Sequence, residues 1–139
     1  QLDRQGNTAG ARDVLAEYVR REPGNFGAEF VLGVYHYKLK DYARMDETYS
    51  RIGPYFPDTA TVLYNWGLAK QGKQEFAEAA RLLERAYTYV PRNYGIGYNL
   101  ADAYYRVGRK TRAIATLDEL MQAYPNDTAV RNAREQWSK

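Results

Sequence analysis

The sequence predicts an all-α chain built as an array of helix–turn–helix repeats, and three observations predict it. Four of the five prolines, Pro23, Pro57, Pro91 and Pro125, follow one another at intervals of 34 residues. Apolar residues between them recur with a helical period. Short turn signals divide each interval in two.

The proline series marks repeated boundaries, because proline is tolerated in a first helical turn or just past a helix end but not inside a helix. Only Pro54 is out of register. Further columns keep the same beat: Gly33, Gly67 and Ala101; Ala11, Met45, Ala79 and Ala113; Leu15, Tyr49, Leu83 and Leu117; Tyr18, Ile52, Ala86 and Leu120. Small residues in the first column let two helices approach closely. Such agreement across several columns is not a chance pattern.

Within each interval the spacing is helical. Tyr94, Leu100, Ala101, Tyr104 and Val107 fall on one side of a 3.6-residue period, as do Ala113, Leu117 and Leu120. Turn signals stand at "KLKDY" (38–42), "KQGKQ" (70–74) and "RVGRK" (106–110). The predicted helices are about 8–21, 26–39 with 42–53, 60–71 with 74–89, 94–107 with 110–123, and 128–137. In the middle interval Gly72 comes two residues early, which predicts a shortened first helix and a lengthened second one.

Composition removes several function classes. The chain has 139 residues, 45% hydrophobic and 14% aromatic, enough for a packed domain and against disorder. A net charge of +3, with Lys and Arg scattered, gives no nucleic-acid footprint. There is no cysteine, so no disulfide or thiolate chemistry. No apolar run reaches the ~18 residues that span a bilayer, so no direct membrane insertion is expected. The chain opens on Gln1 in mid-motif and reads as a piece of something longer.

A 34-residue helix–turn–helix unit with small residues at positions eight and twenty and proline at thirty-two resembles the tetratricopeptide repeat. "YNLADAYYRVGRKTRAIATLDELMQAYP" carries the pattern most fully. The resemblance implies a right-handed superhelical solenoid. Its expected organisation is the second helix of a truncated repeat at 1–25, repeats at 26–59, 60–93 and 94–127, and a capping helix at 128–139. The family's usual tryptophan at position four is Glu29, Leu63 and Gly97 here.

Proteins of this kind bind peptides or partner proteins along the concave wall lined by the first helix of each pair. The resemblance places Phe30, Val34, Tyr37 and Lys38 on that wall, then Tyr64, Asn65, Leu68 and Gln71, then Tyr98, Asn99, Asp102, Tyr105 and Arg106. Asn132 and Gln136 extend it. Asn65 and Asn99 share position six. With helices about 8–10 Å apart and a peptide advancing about 3.3 Å per residue, each asparagine would meet a backbone amide about every third residue. The expected ligand is a protein or peptide. The competing reading is a structural spacer or regulatory module of a larger envelope or glycosyltransferase-type protein, with a glycan stacked on the tyrosines.

No catalytic residue is expected. His36, the only histidine, takes a packing column and reads as a core residue hydrogen-bonded at its edge. One histidine without cysteine builds no zinc site, and neither a phosphate-binding loop nor a nucleophile elbow is present. "YGIGYNLA" contains G-x-G with no preceding strand, so no dinucleotide cofactor is expected. Thr128 opens a polar C-terminal cap. The face of Val14, Leu15, Tyr18 and Val19 lacks cover, which predicts self-association or fraying at that end.

Overall fold

The computed structural model describes residues 4–139, and residues 1–3 of the expected first segment lie outside it. The fold is all-α. Its helices are α1 (Arg4–Arg21), α2 (Phe26–Lys38), α3 (Tyr42–Ile52), α4 (Ala60–Gly72), α5 (Phe76–Tyr89), α6 (Tyr94–Arg106), α7 (Lys110–Ala123) and α8 (Thr128–Trp137), with one 3-10 turn at Gly53–Tyr55. The chain divides into two compact units, residues 1–57 and 58–139.

The helix starts share a mechanism. Asn25, Asn93 and Asp127 each accept a hydrogen bond from the backbone N–H three residues on, at 3.0, 3.0 and 2.9 Å. Such capping satisfies an N–H that the helix itself leaves unpaired. Thr59 completes this column without a side-chain cap bond. The column stands two residues after each proline of the 34-residue series.

The turns inside the three hairpins are one structure. Asp41, Glu75 and Arg109 each donate their N–H to the carbonyl five residues back, on His36, Lys70 and Tyr104, at 2.8 Å in every case. The residue before each adopts a left-handed backbone: Lys40 (φ 58°), Gln74 (φ 64°) and Gly108 (φ 85°). This is a Schellman ending, and the residue that completes it is already the N-cap of the following helix.

That geometry corrects the expectation for the middle hairpin. Helix α4 has 13 residues, as α2 and α6 do, and α5 has 14, as α7 does. Gly72 is simply the last helical residue, and Gln74 takes the left-handed position instead. The turn stayed in register and only the glycine moved.

In residues 1–57 the departures are at the ends of helices. Helix α1 starts at Arg4, earlier than predicted. Helix α3 stops at Ile52 after 11 residues. Pro54 has no N–H to continue the ladder and its ring would crowd the carbonyl of Ser50. The chain therefore tightens into the 3-10 turn, closed by Phe56 N–H donating to Gly53 O at 2.9 Å.

The core is laid down by the columns. Leu32, Met45, Tyr49 and Ile52 are buried in the first unit. In the second, Leu63, Leu82, Ala86 and Ile96 pack together, as do Ala79, Leu83, Leu100 and Ala103, and Ala101, Leu117, Leu120 and Val130. Close approach explains the small column: a Cβ on Gly33 would lie 2.6 Å from the Tyr49 ring, and one on Gly67 2.8 Å from Leu83. Gly97 replaces the family's tryptophan because Leu120 and Tyr87 already fill the space, at 2.8 and 3.0 Å from a built Cβ. At the equivalent position Glu29 is buried and accepts from Arg51 at 3.0 Å.

Candidate interaction surface

Each expected wall residue has a definite place, and the two units are described separately. In residues 1–57, Phe30 is half-buried with its ring edge-on to Tyr49 at 5.8 Å, and its carbonyl accepts from the Tyr49 hydroxyl at 3.0 Å. Val34 is half-buried. Tyr37 is exposed and meets Tyr42 edge-on at 6.3 Å. Lys38 is exposed, its Nζ 5.7 Å from the Tyr35 ring.

In residues 58–139 the structure brings wall residues of α4 and α6 together. Asn99 Nδ2 donates to the Tyr64 hydroxyl at 3.2 Å and to the Gly95 carbonyl at 2.8 Å. Gln71 Nε2 donates to Asp102 Oδ2 at 2.9 Å and to the Asn99 carbonyl at 3.4 Å. Arg106 Nε reaches Asp102 Oδ1 at 3.4 Å. Asn65 and Leu68 are half-buried alongside. Tyr98 is half-buried, edge-on to Tyr94 at 5.9 Å and packed on the Leu117–Leu120–Val130 cluster.

These bonds give Asn99 a structural role. An asparagine amide has two donor hydrogens, and in Asn99 the amide nitrogen is already bonded to Tyr64 and Gly95. It stitches α6 to α4 before any ligand arrives. Gly95 is part of the arrangement, since a Cβ there would lie 2.9 Å from the Tyr64 hydroxyl.

Two aromatic contacts at the α6 end were not foreseen. Tyr105 stacks on Trp137 of α8 at 4.6 Å with rings nearly parallel, 9° apart. The Arg106 guanidinium lies over Phe76 at 5.1 Å. The stack joins α8 to a helix two elements away. Tyr105 stays 40% exposed, while Tyr64 and Tyr98 do not reach the surface as a patch. Asn132 and Gln136 of α8 are exposed.

Several other polar groups are tied into the fold. The Tyr104 hydroxyl bonds to Glu84, which also takes Arg112 at 3.2 Å, and burial raises the Tyr104 pKa ahead of that bond. Burial, then its 2.8 Å bond to Glu119, pushes the Tyr87 hydroxyl up to about 12. Tyr18, on the face expected to lack cover, is 44% exposed, and its hydroxyl takes a bond from Asn25 Nδ2 at 3.0 Å. His36 is buried as expected, but its Nδ1 has no hydrogen-bond partner. Burial lowers its pKa, Asp41 opposes the shift, and Arg12, Arg44 and Arg51 add to it. Among the described residues no group of three or more His, Cys, Asp or Glu could hold a metal, and no helix is long and apolar enough to cross a membrane.

Residues 71–136 match one tetratricopeptide-repeat family model and residues 2–44 match a second. The chain belongs to the tetratricopeptide-repeat family. Comparison with curated proteins found no match. Among solved structures it is similar to a crystal structure of MamA, with a TM-score of 0.88 at 17% identity over 99% of this chain and 84% of that one. A MamA mutant gives 0.84 at 23% over 95% and 77%. MamA from Desulfovibrio magneticus RS-1 gives 0.80 at 19% over 88% and 70%. At these identities the likeness is one of fold. Tetratricopeptide repeats are protein-interaction scaffolds that bind protein partners, and their fold is typically non-catalytic.

Proposed function

We propose that residues 58–139 take an extended segment of a partner protein along the wall where α4 and α6 meet. One observation supports this reading above the others. The Tyr64–Asn99 and Gln71–Asp102–Arg106 bonds hold five polar side chains in set positions at a partly open surface. Side chains fixed beforehand lose little freedom on binding, so more of each contact is realised as affinity.

The roles differ from a simple asparagine ladder. Asn99 contributes its side-chain carbonyl as an acceptor for a peptide N–H, its amide nitrogen being committed to Tyr64 and Gly95. Arg106, with its side chain 55% exposed, offers guanidinium donors to a peptide carbonyl or carboxylate. Tyr105, backed by Trp137, adds a flat aromatic surface for an apolar side chain.

The test is a pull-down with the whole chain, repeated with Tyr105→Ala and Arg106→Ala together. These changes leave the Tyr64–Asn99 and Gln71–Asp102 bonds in place, so circular dichroism should not change. Affinity for the recovered partner should fall at least ~10-fold, about 1.4 kcal/mol. Equal retention by the variant removes this wall as the binding surface. Recovery of no partner by the parent chain favours the spacer reading.

A further inference from the structure

The third hairpin reverses the charge of the second. At the turn between α4 and α5, Lys70 stands between Glu75 and Glu78, its Nζ 3.3 Å from each carboxylate. One period later these three places hold Tyr104, Arg109 and Arg112. Arg112 is answered by Glu84 at 3.2 Å, and Glu84 also takes the Tyr104 hydroxyl. Arg109 has no such answer. Arg81 is a second reversal, since its column reads Asp13, Glu47, Arg81 and Ala115. Both arginines are exposed, and neither guanidinium has an ion pair or a hydrogen-bond partner among the described residues.

The two reversals meet. Arg81 and Arg109 line one hollow of about 220 Å³ between α5 and the start of α7, with Ala77, Ala80, Glu84 and Tyr104 as its other walls. Like charges sharing a recess repel, and Arg109, the N-cap of α7, also sits at the positive end of that helix. Among the described residues nothing offsets either cost. We infer that the hollow receives a carboxylate side chain from an acidic segment of a partner protein, held between Arg81 and Arg109. The lining fits that group. A guanidinium fork matches the geometry of a carboxylate, and Ala77 and Ala80 give apolar cover to the methylene stem behind it. Glu84 in the same lining disfavours a phosphoryl group, which brings about −1.5 to −2 charges instead of one. An acid from outside does for the third hairpin what Lys70 does, with opposite sign, for the second.

None of these residues belongs to the α4–α6 wall, so either proposal can fail without the other. Fluorescence anisotropy of labelled poly-L-glutamate with the intact chain tests the inference. Binding should weaken as salt is raised. Arg81→Gln and Arg109→Gln should each weaken it about tenfold, as expected for losing a charge-assisted hydrogen bond. Arg131→Gln, an equal loss of charge on exposed α8, should leave it unchanged. Arg109→Asp gives a second readout. It copies Asp41, which caps α3 by accepting from Arg44 N–H at 3.2 Å, so it should raise the thermal midpoint of the free chain while abolishing binding. No binding by the parent chain overturns the inference, and so does equal weakening by Arg131→Gln. A midpoint that fails to rise in Arg109→Asp overturns it too, because the arginine would then serve the fold. Release of poly-L-glutamate by inorganic phosphate, but not by chloride at equal ionic strength, overturns it in favour of a phosphoryl ligand.

Discussion

The Asn99 amide nitrogen lies 3.2 Å from the Tyr64 hydroxyl, so a residue expected to hold a ligand first holds α6 to α4. Its second bond, to Gly95 O at 2.8 Å, fixes the amide's orientation. Asn99→Ala should therefore lower the stability of residues 58–139 by about 1–2 kcal/mol, the range for losing a partly buried hydrogen-bond pair. Urea denaturation without any ligand checks this. An unchanged midpoint would mean that the bond contributes nothing and the side chain serves ligands alone.

The displaced glycine gives a signed prediction. Left-handed backbone costs a non-glycine residue about 1–2 kcal/mol, while glycine loses about 0.4–1 kcal/mol through its freer unfolded chain. Gln74→Gly should stabilise the protein by about 0.5–1 kcal/mol as the difference. Gly108→Ala, at φ 85°, should destabilise it, whereas Gly72→Ala, at the end of α4, should be neutral or mildly stabilising. If Gly72→Ala is instead the harmful change, the turn assignment is wrong.

Close packing in residues 1–57 can be tested at Gly33. A methyl group there meets the Tyr49 ring at 2.6 Å, and that ring is pinned by its bond to Phe30 O. Gly33→Ala should cost about 1–3 kcal/mol. The same column tolerates Ala101, which packs near Leu117, a side chain smaller than tyrosine. Gly33→Ala with Tyr49→Leu should recover part of the loss in thermal denaturation.

His36 sets a pH dependence. Its folded pKa lies below the ordinary 6.5 because burial disfavours the cation. As pH falls through that ordinary value, the unfolded chain takes up the proton first, so stability declines from there down to the folded pKa. Above about 6.5 the His36 contribution is constant. Denaturation at pH 7.5 and 5.5 should show a larger loss for the parent than for His36→Tyr, the residue at this place in the third hairpin. Proton NMR should find the imidazole titrating below 6.5.

Much of the fold was legible because it is periodic. Proline, small-residue and leucine columns each report a local constraint, and the same constraint recurs, so one misread residue does not spoil the pattern. Gly72 misled because a glycine near a turn looks like the turn glycine, while the backbone bond from Glu75 to Lys70 leaves no sequence trace. Pro54 was visible as an outlier, but its effect on α3 depended on the 3-10 turn that follows.

For the expected wall residues the sequence gives the helix each stands on and not the contacts it makes. Register placed Tyr64, Gln71, Asn99 and Asp102 on adjoining helices, yet whether their polar atoms meet depends on side-chain reach across α4 and α6. Repeat numbering treats each unit alone, so it cannot show bonds between units of the pattern. The Tyr105–Trp137 stack escaped for the same reason.

The shared residue in each hairpin turn limits how such a chain can change length. Asp41 both finishes the ending of α2 and begins α3, leaving no spare linker between them. One inserted residue would rotate α3 by about 100° about its own axis and swing Met45 and Tyr49 toward water. Insertions and deletions within a hairpin are therefore expected to be purged, and growth or shrinkage of the gene should proceed by duplication or loss of the complete 34-residue module.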